Sequence, residues 1–394
     1  MKKMYYAFTF CLLFNTCSDD DMEIILPPEP NYTPASEIEI NITSSTDEYG
    51  YTVLEDCYVG SWNKSTIPST DGNVIIVGNA RSGYSDPKIV LIKTDVTGNI
   101  LYYRTVFDDQ YGQALGVCED SNQDMYLVGF TLGADGLQNR TLAVAKLNVE
   151  GDILWERNYH PMEEDITGVN ISILSNDEII VSGSQSGNLV FLKINSFGEE
   201  ISFEIQRASS YASPNGMIVL DERQILITET DSKEFILRWY DENFQLLQEK
   251  KYGARNSYAK STIQLMDGNL LSIGHITYTS EGSNSIDSQA VQLIKIDLEG
   301  ELIWEKAVGD LNYLNDGQSI KENFDGSLVL NGYTEDDHML IYVDSQGNEI
   351  NSKYYTDDKT FRGKNIIKIE NGRNILTGGY QRGTFFLNVD NYGL

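Results

Sequence analysis

A chain of 394 residues with 41% hydrophobic residues and only 8 prolines has the composition of a globular protein, which excludes a disordered or collagen-like one. Its 59 acidic and 29 basic residues give a net charge of -30. Such a charge repels phosphate backbones, so we expect no nucleic-acid partner. The 4 cysteines and 3 histidines are too few for a disulfide scaffold or a multi-histidine metal centre. We therefore expect no metal.

The N-terminus has the features of an export signal. Lys2 and Lys3 precede a mostly apolar stretch at 4–14, which is too short to span a bilayer. Cys17 follows, with three aspartates just after it. This arrangement resembles the signals of Bacteroidota surface lipoproteins, in which the cysteine becomes lipidated. The resemblance implies a signal peptide at 1–16, a lipid anchor at Cys17, and a location at the outer membrane or cell surface with membrane contact through the lipid alone. An ordinary secretory signal is the alternative.

A spacer is predicted between this signal and the globular part. Half of the chain's 8 prolines lie at 27–34, and such a stretch favours extended polyproline II structure. We therefore assign residues 17–49 to an acidic, Pro-rich tether. Cys57 and Cys118 follow it, but their spacing alone leaves open whether they form a disulfide.

Internal repeats dominate the rest of the chain. A turn glycine followed by an apolar strand recurs at intervals of about 49 residues, with Asn243 taking the glycine position once because Asn tolerates positive φ. A second marker, an Asp-Gly-like turn with an apolar run that ends near glycine, recurs from DGNVIIVG at 71–78 onwards. A third, an apolar run ending in Asp or Asn, recurs as far as FFLNVD at 385–390. All three markers keep the same phase through seven repeats.

Each repeat contains about four strand-length runs separated by turn residues. Four strands at this period predict an all-β fold, a seven-bladed β-propeller of four-stranded blades over residues 50–394. A sandwich or a β-helix would require another strand count or a shorter period. The segment at 50–58 matches a fourth strand and 385–390 matches a third strand. We therefore expect the N-terminal strand to complete the last blade and so remove the open edges of the ring.

One motif of these repeats is shared with known propellers. Asp/Asn-x-x-Gly-x-x-x-Trp occurs at 148–155 and 297–304. It resembles the repeats of quinoprotein-like propellers and of the outer-membrane assembly lipoprotein propellers. The fuller repeat unit resembles uncharacterised propeller lipoproteins of Bacteroidota. The resemblance implies the architecture and leaves the function open, since such propellers act as enzymes, scaffolds and binding proteins.

Catalytic patterns are weak in this sequence. His160, His275 and His338 fall in three different blades, so they predict packing or surface roles rather than a metal site or triad. The adjacent cysteines that quinone-using propellers carry are absent, so no cofactor is predicted. Acidic runs could supply the carboxylates of a glycosidase, although solvated loop residues are the favoured interpretation. These runs are Asp108-Asp109, Glu163-Glu164-Asp165 and Asp357-Asp358. No catalytic residue is assigned.

Loop lengths favour one face of the propeller as the binding surface. Insertions fall between second and third strands or between fourth and first strands, and these two connection types share one face. Variable loops on a constant scaffold are where binding usually occurs. Five tyrosines at the starts of different blades are predicted to converge around the central axis and stack against a ligand, although tyrosine, with 24 copies, is common throughout. They are Tyr111, Tyr159, Tyr211, Tyr258 and Tyr313.

The sequence thus suggests two functions. The first is a surface-anchored, non-catalytic, monomeric propeller that binds a glycan or a protein through its insertion-rich face. The alternative is a carbohydrate-active propeller enzyme that uses loop carboxylates on the same face. Mutation of acidic loop residues would discriminate the two, because only the enzyme would lose turnover while still binding its glycan.

Overall fold

The computed structural model describes most of the chain beyond the N-terminal region. The residues described are 42–46, 52–59, 65–81, 87–132, 139–160, 165–206, 213–220, 224–231, 233–253, 256–279, 286–335, 337–355, 361–369, 373–380 and 383–389. The predicted signal peptide, Cys17 and Tyr211 lie outside them.

Within these ranges the structure consists of strands, turns and irregular segments, with no helix. The first strands are β1 (Ser44–Thr46), β2 (Thr52–Glu55), β3 (Cys57–Val59), β4 (Thr66–Pro68), β5 (Val74–Ala80), β6 (Lys88–Thr94) and β7 (Ile100–Val106). Then come β8 (Tyr111–Glu119), β9 (Met125–Leu132), β10 (Thr141–Leu147), β11 (Ile153–Tyr159), β12 (Ile166–Ile173), β13 (Ile179–Gln185), β14 (Asn188–Ile194) and β15 (Glu200–Gln206). The third group is β16 (Ser213–Val219), β17 (Ile225–Asp231), β18 (Glu234–Tyr240), β19 (Leu246–Tyr252), β20 (Ser257–Gln264), β21 (Leu270–Tyr278), β22 (Ser288–Ile296) and β23 (Leu302–Val308). The last group is β24 (Asp316–Glu322), β25 (Leu328–Tyr333), β26 (His338–Val343), β27 (Glu349–Tyr355), β28 (Phe361–Lys368), β29 (Asn374–Tyr380) and β30 (Gly383–Val389).

These strands form seven antiparallel sheets, which are the blades of a β-propeller, as predicted. Blades 2 to 6 are the consecutive groups β8–β11, β12–β15, β16–β19, β20–β23 and β24–β27. Blade 1 contains β5, β6 and β7, and its first strand is split into β3 and β4, which both pair with β5. Blade 7 contains β28, β29 and β30 with β2 and β1.

The N-terminal segment closes the ring, as predicted. Strand β2 pairs with β30, so that Thr52 lies opposite Phe386. Two details differ from the expectation. Strand β1 pairs with β2 and adds a fifth strand to blade 7, so the sheet begins before residue 50, within the segment assigned to the tether. Cys57 also lies beyond the closing strand, because the chain turns at Asp56 (φ 57°) and enters blade 1.

The hydrophobic core lies between neighbouring blades. Every residue of β5 and β6 is buried, and Ile75 and Leu91 of blade 1 share a core cluster with Leu127 of blade 2. Leu293 of blade 5 and Leu330 of blade 6 share another. A fully buried aliphatic side chain contributes about 1.5–3 kcal/mol, so face-to-face packing of the blades supplies much of the stability.

A repeated bulge explains the glycine that ends the second-strand marker. In blades 2 to 7 the first strand has a register shift near its start, for instance between Ala259 and Ser261 in blade 5. Opposite the shift, a Cβ atom on Gly274 would lie 1.8 Å from the carbonyl oxygen of Tyr258. Gly129 meets Gln113 at 1.9 Å in the same way. These carbonyl oxygens leave no room for a side chain at Gly274 and Gly129, whereas blade 4 has Glu229 at the corresponding position, opposite Pro214.

The turn marker is explained by contacts between blades. A Cβ on Gly151 would lie 2.5 Å from the ring of Tyr102 in the preceding blade, and one on Gly198 would lie 3.1 Å from Trp155. Blade 4 departs from the expectation, since the positive φ lies at Phe244 (φ 61°) and not at Asn243. Phe244 is buried and stacks on Phe191, with ring centroids 4.8 Å apart, so packing stabilises the unusual backbone.

Candidate functional site

The predicted binding face is the end of the blades where second strands connect to third strands and where each fourth strand connects to the next blade; we call it the upper face. Hydrogen bonds join the two connection types across blade boundaries. Ile166 N donates to Arg140 O at 2.9 Å, and Asn315 N donates to Gln289 O at 3.3 Å. The two kinds of loop therefore form one continuous surface.

Two of the five predicted tyrosines are buried in the structure. Tyr111 begins β8 but is only 2% exposed and belongs to an apolar core cluster. Tyr159 is 6% exposed, and its Oη donates a hydrogen bond to Gly198 O at 2.7 Å in the next blade. Burial raises the pKa of the Tyr159 phenol. These two rings hold blades together, and their faces are not open to a ligand.

The other two described tyrosines lie at the boundary between blades 5 and 6. Tyr258, in β20, stacks on His275 with ring centroids 4.6 Å apart. Tyr313 is 38% exposed and stacks on Tyr354 of the outer strand β27, with centroids 4.8 Å apart. Tyr313 therefore lies towards the rim, so the expected convergence of the rings on the central axis is not seen.

The loop that carries Tyr313 is organised around one buried side chain. Asn315 is fully buried, and its Nδ2 donates to Asp310 O at 2.8 Å, Gln289 O at 3.0 Å and Tyr313 O at 3.2 Å. Tyr354 Oη donates to Asn315 Oδ1 at 3.2 Å. These contacts order the loop 309–315 and place the next residue, Asp316, at the start of β24.

Asp316 is the centre of a polar cluster on the upper face. It is 9% exposed, and its Oδ1 accepts a hydrogen bond from His275 Nδ1 at 2.8 Å. Lys260 Nζ lies 3.7 Å from Oδ2, and Tyr333 donates a further hydrogen bond. Burial opposes ionisation of this carboxyl, but His275, Lys260 and Tyr333 outweigh it and lower its pKa to about 2. Asp316 is therefore ionised at neutral pH.

Two further cations adjoin this cluster from β28. Lys364 Nζ lies 4.6 Å from the ring centroid of Tyr333, and the guanidinium of Arg362 lies 5.5 Å from it. Burial lowers the pKa of Lys364 to about 8; Asp316 opposes the shift, while Lys260 and Arg362 add to it. We call Tyr258, Lys260, His275, Asp316, Tyr333, Arg362 and Lys364 the Asp316 cluster.

The bulge determines which residues enter this cluster. Lys260 and Lys364 each occupy the extra position of the bulged first strand, where blades 2 and 3 have Leu115 and Val169. No sequence motif marks Asp316 or either lysine as a site residue. An alignment of the first strands would have identified the two lysines, because a charged residue replaces an apolar one at a constant repeat position.

The histidines have separate environments, as expected. His275 lies within β21 and contacts Asp316. His160 contacts Glu200 at 3.0 Å and stacks on Phe203. His338 is fully buried. Across the described residues, no group of three or more His, Cys, Asp or Glu is placed to hold a metal ion.

The acidic runs and cysteines are also distributed over the molecule. Asp108 and Asp109 are exposed, whereas 163–164 and 357–358 lie outside the described residues. Cys57 is buried, and burial raises its pKa to about 12. Cys118 lines the central channel. Neither thiol forms a disulfide within the part of the chain that the structure describes.

Comparisons with known proteins identify the fold. The chain matches no protein-family model and no curated protein. Among solved structures, a virginiamycin B lyase from Staphylococcus aureus with quinupristin is 13% identical with a TM-score of 0.58, covering 88% of this chain and 98% of that one. A putative 6-phosphogluconolactonase from Bacteroides fragilis is 15% identical with a TM-score of 0.54, covering 83% and 94%. The WD40 domain of Neurospora crassa Pan2 is 11% identical with a TM-score of 0.54, covering 83% and 89%. The likeness is to the propeller fold alone.

Among the residues that the structure describes, none forms a helix of the length and apolar character needed to cross a bilayer.

Proposed function

We propose that this protein is a non-catalytic β-propeller that binds a glycan carrying acidic groups on its upper face, at the Asp316 cluster. The observation that supports this proposal is the combination of an aromatic ring, an ionised carboxylate and three cations, contributed by the adjacent blades 5, 6 and 7. Aromatic rings stack against the apolar faces of sugars, and carboxylates accept hydrogen bonds from sugar hydroxyls. Arg362, Lys260 and Lys364 supply positive charge for a uronate or sulfate group.

The overall charge makes this local charge unusual. The chain has a net charge of -30, yet the cluster contains one carboxylate and three basic side chains. Repulsion disfavours an acidic glycan elsewhere on the surface, although salt largely screens this repulsion at separations beyond about 10 Å. The cluster therefore provides a specific position for an acidic group on a surface that otherwise repels it.

Anchoring at the cell surface through a lipid on Cys17 is part of the proposal. A propeller fixed to the outer surface would meet extracellular polysaccharides directly. Cys17→Ala should release the protein from the membrane fraction or leave an unprocessed precursor. Fractionation identical to wild type would contradict the anchor and leave glycan binding as a separate question.

The binding proposal is tested with an array of neutral and acidic glycans. Tyr258→Ala and Lys364→Met should each weaken binding about tenfold or more, because a stacked ring or a partly desolvated charge contributes about 1–2 kcal/mol. Lys250→Met is the matched control, since this lysine lies on the outer strand β19 and pairs with Glu301. Wild-type affinity should fall as pH rises through 8, where Lys364 loses its charge. Absence of acidic-glycan binding, or unchanged affinity in both cluster variants, would refute the proposal.

A carbohydrate-active enzyme is the second candidate, and Glu156 is the observation in its favour. The residue is exposed on β11, yet partial desolvation raises the pKa of its carboxyl; the hydrogen bond from Phe107 N opposes this shift, and the nearby Asp108 and Asp109 add to it. A carboxyl with a raised pKa can act as a general acid. Glu156→Gln should then abolish turnover and leave binding intact. If the wild-type protein turns over no glycan that it binds, this candidate is eliminated.

A further inference from the structure

The lower half of the central channel is a cavity with a volume of about 510 Å³. The first strands of all seven blades line it, in blades 2 to 7 with the residues that follow the bulge and in blade 1 with β4. A volume of this size lies within the range of small-molecule binding sites. The cavity is below the Asp316 cluster on the same strands, so it is a second place where a ligand could bind.

One layer of this channel can be defined from strand register. In each blade it is the first-strand residue that pairs with the second residue of the second strand. Three of these pairs are Cys118 opposite Tyr126, Ser172 opposite Ile180, and Lys321 opposite Val329. The other four blades have isoleucine there: Ile67, Ile218, Ile263 and Ile367. We call these seven residues the channel ring. It is mostly apolar and contains a single charged group.

That charged group is the ammonium of Lys321. Among the residues that the structure describes, none accepts a hydrogen bond from it or forms an ion pair with it. Two carboxylates at this end of the first strands accept hydrogen bonds from other donors. Glu119 of β8 accepts them from Ser69 Oγ at 2.6 Å and Thr70 N at 2.7 Å. Glu322 Oε2 accepts one from Met266 N at 2.6 Å. Burial, with Lys368 nearby, lowers the pKa of Lys321.

Lys321 is half-buried in this mostly apolar ring, and a partly desolvated charge is stabilised by a partner of opposite charge. We propose that the channel binds a small monocarboxylate with an apolar body, whose carboxylate pairs with Lys321 and whose body lies against the isoleucines of the channel ring. One ammonium matches one carboxylate. A multiply charged anion would be repelled more strongly than a singly charged one by the net charge of -30, and the channel ring has only one cation to offset it. The proposal is independent of glycan binding at the upper face.

Cys118 provides a direct readout because it belongs to the same ring as Lys321. In the full-length chain, alkylation by N-ethylmaleimide is followed at each cysteine by peptide mass spectrometry, with hexanoate as the probe. Hexanoate at ten times its Kd should slow alkylation of Cys118 about tenfold, by occupancy alone. Cys57 is fully buried, so its alkylation reports general unfolding and should stay slow throughout.

Three comparisons make the experiment decisive. Hexanamide, which has the same body without the charge, should protect Cys118 far less than hexanoate does. Lys321→Met should remove the protection, whereas Lys250→Met, on an outer strand, should keep it. The proposal is overturned if hexanoate at about 10 mM, enough to saturate a site with a Kd near 1 mM, gives no protection. It is also overturned if hexanamide protects equally or if Lys321→Met is protected like wild type.

Discussion

At the scale of single residues, His338 shows how a buried side chain makes stability depend on pH. It is fully buried between Tyr355 and Phe385, with ring centroids at 5.1 and 5.0 Å. Its Nε2 lies 2.8 Å from Asn331 Oδ1, and because Asn331 Nδ2 donates to Asn365 O, Nε2 carries the proton. A second proton would go to Nδ1, which has no partner within the described structure. Burial therefore lowers the pKa of His338 to about 3.

We predict that His338→Phe reduces the loss of stability in acid. Between pH 6.5 and 3 the unfolded chain binds a proton at His338 that the folded chain does not, so the free energy of unfolding falls as pH falls. From pH 7 to pH 5 this amounts to about 2 kcal/mol in wild type and is absent in the variant. Urea unfolding of both proteins at pH 7 and pH 5 gives the slope of the free energy of unfolding with pH for each. Comparing the two slopes removes any pH-independent cost of losing the Asn331 contact. Equal slopes would contradict the pKa shift.

The sequence predicted residue roles less well than it predicted the fold. The sequence predicts Tyr111 and Tyr159 as ligand-binding rings because they lie where a new blade begins. Whether such a ring faces solvent, however, depends on the neighbouring blade. Tyr159 is buried because it reaches Gly198, 39 residues further along the chain. No local sequence pattern can indicate a contact between residues so far apart in the chain. Tyr258 and Tyr313 are accessible for the same non-local reason.

At the scale of the elements, the bulge and its glycine determine how first and second strands pair. The sequence markers predicted these strands correctly, because a buried strand is a short apolar run in the sequence regardless of the strands with which it pairs. The bulge could not be predicted in this way, since it is a register shift between two strands. It nevertheless left a trace, the glycine that ends the second-strand marker, which the structure explains by the close approach of a carbonyl oxygen.

We predict that Gly274→Ala destabilises the fold far more than Gly268→Ala does. A Cβ at Gly274 would lie 1.8 Å from Tyr258 O, so strands β20 and β21 would have to separate, at a cost of about 3 kcal/mol or more. Gly268, the matched control, has φ +86° but no atom within 4 Å of the added Cβ. Its cost is only that of a left-handed backbone, about 1–2 kcal/mol. Urea unfolding gives both values, and equal costs would argue against the bulge.

At the scale of the whole molecule, ring closure depends on the segment before residue 56. Val53 and Leu54 of β2 are buried, and β2 covers the edge of β30. The repeat patterns predicted this closure, because the segment at 50–58 matches a fourth strand and 385–390 matches a third strand. It did not predict β1, a three-residue strand with the sequence Ser-Ser-Thr. Such a polar segment has no strand signal, and it pairs only because β2 presents an open edge.

We predict a graded response to N-terminal truncation. A chain starting at residue 42 keeps every described strand, so its Tm should match that of the full chain. A start at residue 47 removes β1 and should lower the Tm by a few degrees. A start at residue 56 removes β1 and β2, exposes the edge of β30 and should lower the Tm by about 10 °C or more, with aggregation. Calorimetry of the three proteins checks this order, and equal Tm values for the first and last would contradict closure by β2.

The placement of function on the upper face is tested most directly by hydrogen–deuterium exchange of the full chain with and without an acidic glycan selected on the array. Binding at the Asp316 cluster should slow amide exchange in residues 256–260, 309–316 and 361–364, which carry or adjoin the cluster on three blades. Exchange in the opposite turns, such as 265–269, should not change. Slowed exchange confined to those lower turns, with the three upper segments unaffected, would contradict the placement.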